Sequence, residues 1–181
     1  GPDVGGPHAP YVQSERLDKY HDAIATLIER GAAYRCYCTP ERLSEMREQQ
    51  QRDKGQIGYD RLCKSLSEDE RREREASGLP SVVRFAMPSE GETRLDDIVR
   101  GEVRFENGLK DDFVMLKGDG FPTYHLANVV DDHEMEITHV LRGDEWLPSA
   151  PRPLLLYQAL GFEPPAFAHL PVILGPDRAK L

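Results

Sequence analysis

Three cysteines and one tyrosine stand close enough in the chain to share a metal ion. Cys36 and Cys38 are separated by Tyr37 alone, Cys63 follows in the next loop, and the sequence holds no other cysteine. A disulfide between Cys36 and Cys38 would close too small a ring. A C-x-C pair can instead point both thiolates at one ion, and a structural zinc takes four such ligands in a tetrahedron. Cys63 is the natural third ligand. Tyr59 stands one helical turn before Cys63 and is the nearest candidate for the fourth; His21 and His8 are more distant ones. Tyrosine is an unusual ligand, because its phenol must lose a proton whose pKa is about 10 in water. Spacing alone leaves two readings open: a zinc site, or three small thiols buried without a partner.

A second group lies further on. Arg142 ends the apolar stretch "THVLRG", and ligands of open α/β sheets bind outside the carboxyl ends of the strands. An arginine there can grip a carboxylate through two parallel hydrogen bonds. The competing reading pairs it locally with Asp144 or Glu145. Tyr124 and Asn128 are one helical turn apart and can face one site; Tyr124 could equally be a core aromatic. Asp131, Asp132 and His133 look like a catalytic cluster but read as a helix end with its turn. His125, His139 and His169 have no local carboxylate partner and read as structural. "REQQQRDKGQ", Arg61, Lys64 and the run Arg71–Arg74 offer phosphate contacts, although the interleaved acids favour a solvated helix face.

The elements that must position these residues follow from periodicity and punctuation. Leu17, Tyr20, Ile24, Leu27 and Ile28 recur at helical spacing, with Ser14 as the expected N-cap and Gly31 as the stop. "AAYRCYC" reads as a strand. Thr39-Pro40 opens a second helix, and Ser67 with Glu70 forms a capping box for a third. "SVVRF", "TRLDDIV", "EVRFE" and "DFVMLK" read as short strands. "TYHLANVVDD" is a helix, "ITHVLRG" a strand, and "SAPRPLLLYQALG" a helix capped by Ser149 and closed by Gly161. "FAHLPVIL" is a last buried strand. Helix and apolar strand alternate at both ends and the middle is α+β. This predicts a doubly wound α/β sheet interrupted by an inserted module.

Composition agrees with a soluble globular chain: 181 residues, 39% hydrophobic and 30% charged, with a net charge of −9. No apolar run approaches the ~20 residues of a membrane span. "GPDVGGPHAPY" lacks the basic and apolar regions of a signal peptide, so a cytoplasmic location is the expectation. The acidic balance argues against indiscriminate nucleic-acid coating, not against a shaped RNA site.

The stretch from "PTYHLANVVDDHEMEITHVLRGDEWLPSAPRPLLLYQALG" to the end resembles the catalytic region of bacterial-type glutamyl-tRNA synthetases. So do "GPDVGGPHAPYVQSERLDKY", "YRCYCTPERL" and the "VVRF…DDIVRGEV" region. The resemblance covers essentially the whole chain. It implies a class I Rossmann-type catalytic domain split by an α+β, zinc-containing insertion that contacts the tRNA acceptor end. The implied boundaries are 1–32 and 113–181 for the catalytic halves and 33–112 for the insertion. It further implies a ligase that activates L-glutamate with ATP and Mg2+ and transfers it to tRNA(Glu), working as a monomer. Some members bind zinc through C-x-C…Y-x3-C, which Cys36, Cys38, Tyr59 and Cys63 match. Tyr124, Asn128, Arg142 and Glu145 match positions that line the glutamate and adenylate pocket. The first ATP signature, of H-x-G-H type, is absent. The second begins at Lys180, an ATP-binding position, and stops after Leu181. The chain therefore resembles an internal fragment, expected to be inactive alone. Two alternatives stand beside this reading: the related glutamyl-queuosine tRNA(Asp) synthetases, and a non-catalytic zinc-containing RNA-binding module.

Overall fold

A computed structural model describes residues 1–109, 111–173 and 175–176. The chain opens with a short 3-10 turn at Gln13–Glu15 and the helix α1 (Leu17–Glu29), followed by the strand β1 (Ala33–Cys36). Helices α2 (Pro40–Arg52) and α3 (Glu68–Ala76) come next, then strands β2 (Val82–Phe85), β3 (Glu92–Asp97), β4 (Gly101–Glu106) and β5 (Val114–Leu116). Helix α4 (Tyr124–Glu134), strand β6 (His139–Gly143), helix α5 (Pro151–Leu160) and strand β7 (Ala166–Leu170) complete the described order.

The strands form two sheets, β1-β2-β5 and β4-β3-β7-β6. In the first, β2 is antiparallel to both neighbours. In the second, β6 and β7 run parallel, β3 is parallel to β7, and β3 with β4 is an antiparallel hairpin. The architecture is mixed α/β. The hairpin joins a sheet whose other strands come from the end of the chain, so the two sheets do not divide the sequence into consecutive blocks.

Helices α1, α4 and α5 pack on one another and tie the sheets together, α1 against β1, α4 against β5 and α5 against β3. One core results, with Tyr20, Leu27, Met115, Leu126, Val129 and Leu156 fully buried. Alternation explains how the first sheet serves two purposes. Ala33, Val83 and Phe85 face this core, while Tyr34 and Cys36 face a second cluster with Tyr37, Tyr59 and Cys63.

Several caps follow local chemistry. Thr39 Oγ1 accepts from the Arg42 N–H, the Ser67/Glu70 capping box is complete, and Gly161 takes the left-handed φ of +73° that ends α5. Pro151 begins α5 and Pro153 lies in its first turn, where helical N–H partners are missing anyway. Two expected caps are corrected. Ser14 lies exposed in the 3-10 turn, and Arg16 occupies the cap position of α1. The buried Arg16 side chain donates to Pro10 O at 2.7 Å and to Asp131 at 2.7 Å, and these long-range bonds fix the entry into α1. Ser149 donates to Trp146 O at 2.8 Å instead of capping α5. A 3-10 helix at Asp144–Ser149 runs directly into α5 through Ala150, whose φ and ψ are already helical, so no extended cap residue exists.

Candidate functional site

The first site sits where β1 leads into α2. The thiols of Cys36, Cys38 and Cys63 lie within 4.8 Å of one another, and all three cysteines are free. The Cys38 and Cys63 sulfurs are 3.6 Å apart. The Tyr59 hydroxyl stands 3.3 Å from Cys36 Sγ and 3.4 Å from Cys38 Sγ. Zinc bonded at ~2.3 Å to sulfur and ~2.0 Å to oxygen gives tetrahedral edges of about 3.8 Å between sulfurs and about 3.5 Å between sulfur and oxygen. The three separations of 3.3, 3.4 and 3.6 Å lie close to these edges, so the cluster could hold a metal ion.

Their surroundings suit negative charge. The hydrogen bond from Cys63, helped by Tyr59, the Cys38 N–H and Arg84, holds the Cys36 thiol down at about 4 although burial opposes this. The same bond pushes Cys63 up, and burial pushes Tyr59 up. Without a cation, one thiolate is stabilised at the expense of its neighbours. Two guanidinium groups flank the cluster: Arg42 Nη1 donates to Cys38 Sγ at 3.4 Å, and the Arg84 group stacks 4.0 Å over the Tyr59 ring. The Tyr37 N–H donates to Cys63 Sγ at 3.4 Å.

The second site forms at the carboxyl ends of β6 and β7, where Arg142 stands directly across from His169. Arg142 Nε donates to His169 Nε2 at 2.9 Å. Arg142 Nη2 is buried and has no hydrogen-bond partner among the described residues. The guanidinium carbon lies 5.8 Å from the centre of the Trp146 ring and 5.5 Å from that of Phe167. The Tyr124 ring contacts Trp146 at 5.1 Å, so Tyr124 and Arg142 share that indole as a common wall. Tyr124 is exposed at the start of α4, not a core aromatic.

Asn128 lies one turn further along α4 and donates to Asp132 Oδ2 at 2.9 Å; Tyr157 donates to the same oxygen at 3.2 Å. Burial pushes the Asp132 carboxyl up, while Tyr157, Asn128 and the Arg142 charge partly offset it. The Glu145 carboxylate folds back over Gly143, where a Cβ would collide with it. His125 is held down to about 4 by burial and by the charges of Arg152 and Arg142. Its Nε2 sits 3.2 Å from Arg152 Nη1 and accepts from it. Lys180 lies outside the described residues.

The local pairing considered for Arg142 is not made with Asp144, which binds Arg100 at 2.6 Å. Asp131, Asp132 and His133 face different ways: Asp131 accepts from Arg16 and Tyr20, Asp132 from Asn128 and Tyr157, and His133 stacks 3.6 Å from Phe162. Among the basic candidates, Arg61 pairs with the buried Asp112 at 3.0 Å, Arg71 donates to Lys64 O, and Arg72 pairs with Glu68. Sequence reasoning missed Asp97, whose carboxylate lies 2.6 Å from His169 Nδ1. Its only signal was an acid on the buried side of the alternating strand "ETRLDD".

Arg142, with its Nη2 buried, thus stands at the carboxyl ends of two parallel strands, and the thiol cluster stands in the other sheet. The profile of the family "tRNA synthetases class I (E and Q), catalytic domain" matches residues 2–181, and the chain belongs to this family. It is 55% identical over 181 residues to a glutamate–tRNA ligase of Dehalococcoides mccartyi, and 52% identical to one of Fusobacterium nucleatum. All of the chain is covered in both comparisons, and the chain spans about 36% of those relatives' length. The crystal structure of a glutamate tRNA ligase from Elizabethkingia meningosepticum, in complex with its amino acid, superposes with a TM-score of 0.93. That match has 42% identity and covers 99% of this chain and 38% of the other. A mixed α/β class I synthetase domain fits a Rossmann-type fold. Among the described residues no helix is long and apolar enough to cross a membrane.

Proposed function

We propose that this chain is the amino-acid-binding part of a glutamate–tRNA ligase. The whole protein activates L-glutamate with ATP and passes it to tRNA(Glu). In the first step the α-carboxylate of glutamate attacks the α-phosphorus of ATP and pyrophosphate leaves. In the second, the terminal ribose of the tRNA takes the acyl group and AMP leaves. ATP is used with Mg2+, which neutralises phosphate charge when bound. The protein's contribution is largely positioning and charge complementarity.

The observation that carries this reading is the buried, unpartnered Nη2 of Arg142. A guanidinium N–H without an acceptor is costly, and a carboxylate supplies the missing one in a charge-assisted bond. Such a grip favours glutamate over glutamine, whose amide lacks the charge. Tyr124 and Trp146 wall the same space, and Asn128 and Glu145 are assigned to the glutamate and adenylate pocket with them. Lys180 is assigned to ATP.

Residues 33–112 act as the inserted module, with a structural zinc held by Cys36, Cys38, Cys63 and Tyr59. Zinc lowers the acidity threshold of its ligands, so all four can bind deprotonated. Arg42 and Arg84 then offset the excess negative charge of three thiolates and a phenolate around a divalent ion. The metal pins β1 to the loop that carries Cys63.

The test is amino-acid-dependent ATP–pyrophosphate exchange by the full-length protein. Exchange driven by glutamate and not by glutamine is expected. No exchange with glutamate, or equal exchange with both, overturns the reading.

A further inference from the structure

Behind Arg142 lies a buried ionisable pair. His169 and Asp97 both have fully buried side chains, and His169 Nδ1 is 2.6 Å from Asp97 Oδ2. They come from β7 and from the end of β3, neighbours in one sheet. We propose that His169, held by Asp97 as its neutral Nδ1–H tautomer, is a positioning residue that sets the plane of the Arg142 guanidinium and so the direction from which the substrate carboxylate is gripped. This rests on the reading of Arg142 as the amino-acid clamp.

Proton positions decide which nitrogen of His169 faces Arg142. Arginine stays protonated in proteins, so Arg142 Nε always presents an N–H. Its bond to His169 Nε2 at 2.9 Å requires a lone pair on that nitrogen. The proton of a neutral imidazole then belongs on Nδ1, which donates to Asp97. A doubly protonated ring would set one N–H against another.

Asp97 is itself fixed. Oδ1 accepts from the N–H groups of Val99 at 3.0 Å and Arg100 at 2.9 Å, and the His169 N–H reaches Oδ2 at 3.1 Å. Burial opposes the charge, but the bonds from His169 and from these backbone groups outweigh it and hold the carboxyl down at about 2. A permanent acceptor therefore faces Nδ1.

The consequence for the clamp is geometric. With Nε bound to His169, the guanidinium cannot offer its Nε/Nη edge to a ligand. Only the Nη1/Nη2 end remains, and Nη2 is the buried nitrogen without a partner. The carboxylate must approach end-on, along the axis that His169 defines, on the side walled by Trp146. A misplacement of about 1 Å in such a clamp costs roughly a hundredfold in rate.

Asp97→Asn tests this with a change of one atom. The backbone N–H groups keep the amide oxygen at the Oδ1 position, so the NH2 faces His169 Nδ1. The ring must then accept at Nδ1 and carry its proton on Nε2, against the Arg142 Nε–H. Two further variants separate the contacts: His169→Gln retains an acceptor toward Arg142, and His169→Asn retains only a donor toward Asp97. The measurements are 15N NMR of histidine-labelled full-length protein without substrate, and exchange kinetics with glutamate and with ATP.

We expect the Nδ1–H tautomer in the wild type and the Nε2–H form in Asp97→Asn. KM for glutamate should rise about 10- to 100-fold in Asp97→Asn and His169→Asn, with KM for ATP little changed, and His169→Gln should recover most of the loss. A wild-type Nε2–H or doubly protonated ring overturns the proposal even if every variant misfolds. So do parallel losses for glutamate and ATP, or a Gln variant no better than Asn. Absence of glutamate-dependent exchange in the wild type instead defeats the functional reading, whatever the tautomer.

Discussion

Arg100 and Asp144 form an ion pair at 2.6 Å that bridges the turn after β3 to the segment following β6. The pair occupies the acid nearest to Arg142 in sequence, and Arg142 Nε donates instead to His169. Both partners are about one-third exposed, so the pair is worth about 1 kcal/mol or less. Asp144→Asn should therefore cost little stability and leave KM for glutamate within about twofold. Urea unfolding and exchange kinetics check this; a large rise in glutamate KM would mean that Asp144 helps to hold Arg142 after all.

The thiol cluster should bind one zinc per chain. Cys36→Ser combined with Cys63→Ser should abolish binding, and Tyr59→Phe should weaken it, because one donor is lost. Metal removal should lower the melting temperature by at least about 5 °C, since an ion that binds only the folded state stabilises it. Elemental analysis after dialysis, beside thermal melts with and without chelator, reads all of these. A fully folded wild type without metal, or zinc retained by the double variant, would contradict the assignment.

Asp112 is a stability hub with no assigned role in either site. Its side chain is wholly buried and accepts from Tyr34 OH at 2.7 Å, Met87 N–H at 3.0 Å and Arg61 at 3.0 Å. Asp112→Ala leaves all three donors without an acceptor and should cost about 3–5 kcal/mol, against about 1 kcal/mol for Tyr34→Phe. Urea denaturation measures both; equal losses would show that the carboxylate is not the shared centre.

His125 gives a pH dependence of defined sign. Its pKa falls from 6.5 to about 4 in the folded chain, through burial first and then the charges of Arg152 and Arg142. The unfolded state therefore binds more protons between these values. The stability from neutral His125 is fully present above pH 6.5 and is lost as pH falls toward 4. The ring is only partly buried, so the effect should be about 1–2 kcal/mol. The gap in unfolding free energy between wild type and His125→Gln should narrow by that amount on acidification. A gap independent of pH would refute the assignment.

Legibility followed the range of the interactions. Thr39, Ser67 with Glu70, and Gly161 act within one turn of chain, and their patterns alone placed the helix ends. Ser14 and Ser149 have equally good local chemistry, but Arg16 reaching Asp131 and a 3-10 lead-in through Ala150 override them. The strands were readable one by one. Their order was not, because β3 meets β7 across 70 positions (Asp97 opposite Phe167). The cysteine cluster was visible in part: C-x-C and Tyr59 were named from the sequence, while only the fold brings Cys63 and the Tyr59 hydroxyl beside the other thiols. The Asp97–His169 pair spans 72 residues and had no signature in spacing.

The proposed grip is that of Arg142 on the side-chain carboxylate of glutamate. It is tested most directly by exchange kinetics of full-length wild type, Arg142→Ala and Arg142→Lys, with glutamate and ATP varied separately. Loss of a hydrogen-bonded charge partner costs about 2–5 kcal/mol, so kcat/KM for glutamate should fall roughly 30-fold to a few thousand-fold in Arg142→Ala. KM for ATP should change far less. Lysine should recover little, because a point charge cannot reproduce the planar fork. An Arg142→Ala enzyme that melts like wild type and keeps its kcat/KM for glutamate would contradict the account.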